Sequence, residues 1–313
     1  MRIEYLLAFT APILVACGGD GNEDAVGDGG FSRPPGAPAL TSVIDVWAFS
    51  NTDVWFVDGG KSVHRFDGQN WSTLETPATG VSCIFALSAS DVFLCAGSEL
   101  LHYDGATFTS SDVATPTGLG GLSDVWASSA SDVWVVGDDA IIGHYDGAAW
   151  SRTIAGSPFK TSIWGSGPAD IYALDTFDLV HYDGSAWNVV SLDSGGGDGQ
   201  VWGTGASDVW VMTDSSDLSH FDGASWKTVR TDLVGELAAV WGPAPNDLWA
   251  AGSAGSIAHY DGRTWHELTH QPIGAPYLRS FVAVHGASSN DVWAVGHQLG
   301  AGGSTALIYH RAR

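Results

Sequence analysis

The chain of 313 residues carries 35 acidic against 12 basic side chains, a formal net charge of −23, and 44% of its residues are hydrophobic. That apolar content supports a folded core and excludes a disordered chain, while the acidity excludes a nucleic-acid partner, because the chain would repel a phosphate backbone instead of displacing its counterions. The 41 glycines and 15 tryptophans set a prior toward an exported all-β protein.

The first predicted element is MRIEYLLAFTAPILVAC, with an apolar run from Tyr5 to Ala16 followed by Cys17. The run is too short to cross a bilayer as a helix, so it reads as a cleaved leader. Leu14-Val15-Ala16-Cys17 resembles the bacterial lipobox, in which the leader is cut before a cysteine that then carries lipid. Glu4 departs from the net positive start usual in such leaders. The resemblance implies that residues 1–16 are a signal peptide and that Cys17 is the lipidation site. Several acyl chains would then hold the protein stably on the outer membrane or surface of a bacterial envelope. Residues 17–36, rich in Gly, Asp and Pro, read as a flexible tether. Asp20, Asn22, Asp24 and Asp28 have the spacing of a calcium loop. Ala25 and Phe31 stand where that loop needs Gly and Glu, which favours a solvated spacer.

From residue 37 to 313 the chain repeats. An Asp–aliphatic–aromatic element recurs at Asp53, Asp91, Asp132, Asp170, Asp208, Asp247 and Asp291. Downstream of the first six comes an Asp-Gly pair, as in Asp146-Gly147, followed three residues later by Trp71, Phe108, Trp150, Trp187, Trp226 or Trp265. Upstream lies a third column: Trp47, Phe85, Trp126, Trp164, Trp202, Trp241 and His285. All 15 tryptophans fall in these columns. Each unit contains four short apolar runs with turn chemistry between them, and Asp-Gly between alternating runs is a strong hairpin signal. A period of about 39 residues with four strands per unit predicts a seven-bladed, all-β propeller with four-stranded blades. One hairpin register sets Trp126 opposite Trp134, Trp164 opposite Tyr172, and Trp241 opposite Trp249. It also sets Cys83 opposite Cys95, so either a disulfide in an oxidising compartment or two buried thiols fits. The seventh unit stops at ALIYHRAR without a fourth strand, and Ala37 to Thr41 is the expected closing strand.

The repeat resembles the Trp-rich repeat lipoproteins of the myxobacterial envelope, most clearly in VWGPAPNDLWAAGSAGSIAHYDGRTW, Val240 to Trp265. It is similar more loosely to tectonin-type sugar-binding propellers and to Asp-box propellers. The first resemblance implies a surface location and little about activity.

Residues that could suggest chemistry have structural readings. His266 to His270 spells HELTH, but at a fourth-strand position, where residues four apart lie roughly 13 Å from each other and cannot share one zinc. His102, His144, His181, His220 and His259 recur once per unit, whereas a catalytic residue is needed once. No nucleophile elbow, phosphate loop or converging arginine triad is found. The expectations are therefore no catalytic residue, no metal, no cofactor and a monomer. What differs between units is the set of connections on one face of the disc, so Phe159, Lys160, Phe177, Tyr277 and Arg279 are the candidate contacts for a protein or glycan ligand.

Overall fold

The computed structural model describes residues 25–26, 30–113, 120–138, 140–192, 199–212, 217–231, 233, 235–270 and 278–312. They form seven antiparallel sheets, with no helix among the described residues. Six sheets are four-stranded, each paired in sequence order. The first strands of all seven line a central channel. The molecule is a seven-bladed β-propeller, and its strands are called first to fourth from the channel outward.

Cross-strand aromatic pairs fix the register. Trp47 faces Trp55, Phe85 faces Phe93, Trp126 faces Trp134, Trp164 faces Tyr172, Trp202 faces Trp210, Trp241 faces Trp249, and His285 faces Trp293. Cys83 and Cys95, also opposite one another, are joined by a disulfide. The upstream aromatics lean across the blade joints onto small residues. A Cβ added at Gly165 would lie 2.9 Å from the Trp126 ring, and one at Gly203 would lie 2.6 Å from Trp164. That close approach is why Gly follows Trp in these repeats.

The once-per-blade histidines are part of the scaffold. In blade 3 the His144 ring stacks on Trp134 at 3.7 Å, and its Nε2 donates to Asp132 at 2.7 Å. Blade 5 repeats this with His220, Trp210 and Asp208, whose carboxylate also accepts from the Trp210 indole N–H at 3.0 Å. Blade 1 substitutes Arg65, which donates to Asp53 at 2.6 Å and lies over Trp55. The strand-initial aspartates therefore bind side chains, while the Asp-Gly aspartates accept backbone N–H groups of their own turns, as Asp146 does from Ala148 and Ala149.

Closure differs from the expectation. Phe31–Ser32, not Ala37 to Thr41, is the fourth strand of blade 7: Ser32 pairs with His310, and Ala25–Val26 adds a fifth strand outside it. The physical reason is Phe31, which is buried edge-on against Trp249. Leu40 and Thr41 instead accept isolated hydrogen bonds from Ala306 and Ser304. The folded ring thus includes Phe31, inside the stretch 17–36 expected to be tether. Cys17 and the calcium-like spacing lie outside the described residues, apart from Ala25 and Phe31.

Candidate functional site

Antiparallel order sends the first-to-second and third-to-fourth turns to one face of the disc. The second-to-third turns and the blade-to-blade connections emerge on the other. This second face carries Phe159, 60% exposed, Phe177, 66% exposed, and the cross-strand neighbours Leu278 and Leu299.

Phe159 and Phe177 are held by a single buried carboxylate. Asp175 Oδ2 accepts from Lys160 Nζ at 3.0 Å and from Ser157 N–H at 2.8 Å, and its Oδ1 accepts from the N–H groups of Phe177 and Asp178 at 2.9 and 2.7 Å. Asp178 accepts from Ser157 Oγ at 2.8 Å, which ties the two loops a second time. Both charged side chains of the pair are fully excluded from solvent. Lys160 is therefore not an exposed contact as expected; it is an internal strut. Burial pulls its ammonium below the ordinary lysine range, against the opposing pull of Asp175. Between them, Phe159 is held at φ 64°, a left-handed conformation that bulky side chains rarely adopt.

The pair replaces an apolar one. Four residues before the upstream aromatic, blades 1, 2, 3, 6 and 7 bury Val43, Val81, Leu122, Leu237 and Phe281. Where a register partner exists, it is Ala96, Gly137, Gly252 or Gly296. In blade 4 these two positions hold Lys160 and Asp175. Sequence reasoning overlooked this signal, a lysine in a column that is Val, Leu or Phe in five blades, opposite an aspartate in a column that is Ala or Gly in four.

Of the remaining predicted contacts, Tyr277 lies outside the described residues. Arg279 is half-buried on the first strand of blade 7 and donates to Gln298 at 2.9 Å. His266 sits on the strand Trp265–Thr269 and bonds Asp261, while His270 lies 3.6 Å from Glu267, so the two histidines of HELTH engage different carboxylates.

The channel wall carries a further polar column, two residues before the upstream aromatic, that stitches blade to blade. Asp45 accepts from Ile84 N–H at 2.9 Å, Asp124 from Ile163 N–H at 2.9 Å, and Gln200 from Val240 N–H at 2.8 Å. His285 Nδ1 accepts from Ala48 N–H at 3.1 Å, across the joint between blades 7 and 1. Burial pushes Asp45 up to about 7 and Asp124 up to about 6, against the backbone bonds that favour the ionised form. Burial pushes His285 down to about 3, which suits its acceptor role. A carboxyl group raised in the folded state stabilises most below its unfolded value, and that stability is lost as pH rises through the folded value. For His285 the sign is opposite, with stability present above its unfolded value and lost as pH falls toward 3. The stability of the wild type relative to Asp45→Asn should therefore shrink by about 1 kcal/mol per pH unit as pH rises from roughly 4 to 7, and level off above. Urea unfolding of both proteins across that range checks it, and parallel curves would contradict it.

No family model matches the sequence, and no curated protein matches it. Solved structures do match in fold. The chain is similar to the WD40 repeats of RRP9, with 8% identity and a TM-score of 0.71 over 92% of this chain and 99% of that one. It is similar to YCF48 from Cyanidioschyzon merolae, with 13% identity and a TM-score of 0.63 over 90% and 98%. A second YCF48 structure, described as bound to D1 peptide, gives 14% identity and a TM-score of 0.63 over 88% and 95%. The shared property is the propeller fold.

Proposed function

We propose that the chain is a non-enzymatic binding or scaffold propeller, held on the bacterial envelope by lipid on Cys17 as in the Trp-rich repeat lipoproteins it resembles. The supporting observation is a division of labour. The recurring Asp and His side chains are committed to bonds, and their Trp neighbours to ring contacts, inside the blades, whereas Phe159, Phe177, Leu278 and Leu299 are offered to solvent on one face. YCF48 is a propeller of similar fold described as bound to a peptide, which makes a polypeptide ligand the first to test.

The anchor is tested by expressing the full chain in a lipoprotein-processing bacterium. Cys17→Ser should move the protein from the membrane to the soluble fraction with its melting curve unchanged. Retention in the membrane fraction would remove the anchor from this reading.

A second reading, a glycan-binding lectin, is favoured by a shallow crevice that recurs between outer strands. Between blades 2 and 3 it is lined by Phe93, His102, Tyr145 and Trp150, and between blades 3 and 4 by the equivalent Trp134, His144, Tyr182 and Trp187. A glycan array probed with the chain separates the readings. Binding to sugars that is lost with Trp150→Ala and Trp187→Ala would favour the lectin.

A further inference from the structure

The departures of blade 4 from the repeat converge on one place. Its Lys160–Asp175 pair stands where blades 2, 3, 6 and 7 bury an apolar residue against Ala or Gly, and that pair binds two loops that each present a phenylalanine to solvent. Desolvating an ion pair and holding Phe159 in the left-handed region both cost free energy, and an apolar pair would close the blade without either cost. What the arrangement adds is position: both rings ride on loops pinned to the same carboxylate. The apolar surface continues past them. Ile154 and Val189, 64% and 62% exposed, flank the crevice between the fourth strands of blades 3 and 4, which ends at Gly156, three residues before Phe159.

We propose that this sector, Phe159 and Phe177 with Ile154 and Val189, docks a cationic polypeptide segment that inserts apolar side chains between the rings and along the crevice. The inference rests on the binding-propeller reading and locates its site. Charge selects the partner. The loop residues AGSPFK and TFD contain one base, Lys160, whose charge Asp175 neutralises, and they add the half-buried Asp178, while exposed Asp138 lies on the neighbouring turn of blade 3. The whole chain carries −23. An anionic lipid surface or a second copy of the chain would be repelled, while a basic segment is drawn in and its apolar residues are retained by the rings.

The test uses the Cys17→Ser chain and three fluorescent probe peptides, alternating Lys–Leu, Glu–Leu and Lys–Ser, followed by anisotropy. Lys–Leu should bind at least about tenfold more tightly than either counterpart. Phe159→Ser with Phe177→Ser should weaken Lys–Leu about tenfold with an unchanged melting curve, and Leu278→Ser with Leu299→Ser should leave affinity within about twofold. Exchanging Lys160→Leu with Asp175→Gly, the pair found in blades 3 and 6, should also weaken binding about tenfold with both rings intact, because the loops lose their common anchor. Equal affinity for Lys–Leu and Lys–Ser, or full affinity in the Phe variant, would overturn the proposal. So would Phe-dependent self-association or Phe-dependent binding to anionic vesicles. If Lys–Leu binds through Leu278 and Leu299 instead, the site is refuted while the binding-propeller reading stands.

Discussion

Lys160→Met is expected to destabilise the protein by about 3 to 5 kcal/mol, the largest single effect at any position discussed, because it leaves the Asp175 carboxylate buried with no counter-charge. The three N–H groups of Ser157, Phe177 and Asp178 would still bind the carboxylate, and they place the cost at the lower end of that range. The control is the double exchange Lys160→Leu with Asp175→Gly. It installs the pair that blade 3 builds from Leu122 and Gly137, so most of the loss should be recovered although both charges are gone. Urea unfolding midpoints of the three proteins test the argument. If the methionine variant matches the wild type, or the double exchange is the less stable of the two, the ion pair is not the internal strut described above.

The second large effect is expected from the disulfide. Cys83 and Cys95 are separated by 12 residues, and closing a loop of that size lowers unfolded-chain entropy enough to stabilise the fold by about 3 kcal/mol. Both residues are buried, so reductant should act slowly until blade 2 opens. Cys83→Ala with Cys95→Ala isolates the cross-link, because blade 6 carries Ala239 opposite Ala251 at the same register and packs without a bridge. The double variant should unfold about 3 kcal/mol more easily than the oxidised protein and match the reduced one. Equal stability of the oxidised and alanine forms would show that the bond contributes no net constraint.

The sequence made the blades legible because their stability comes from local pairings repeated in register. Trp126 with Trp134 and Cys83 with Cys95 are hairpin neighbours, so spacing alone sets them opposite each other. The candidate face was legible in outline, since Phe159 and Phe177 are exposed on its loops. Lys160 was misread because a lysine in a connection is usually solvated; its burial depends on Asp175, a partner recognisable only when the blades are aligned column by column. The closing strand was misplaced for a related reason. Two residues in a Gly- and Pro-rich stretch carry no strand pattern, and what fixes Phe31 is the distant Trp249 ring. Leu278 and Leu299 were overlooked because the longer strands of blade 7, Leu278–Ser288 and Asp291–Gly300, extend past the repeat that guided the reading.

The pairing of Ser32 with His310 also determines when the ring can be finished. Six sheets are each contiguous in sequence and can form as their residues leave the ribosome or cross a membrane, but blade 7 joins a strand made before blade 1 to one made after blade 6. Until Gly303–Ala312 arrives, Phe31–Ser32 has no strand to pair with, and the outer edge of Asp291–Gly300 is bare. Assembly therefore proceeds as a growing arc that locks in one late step, and an arc cut short before that step would expose the sheet edge that the finished ring covers.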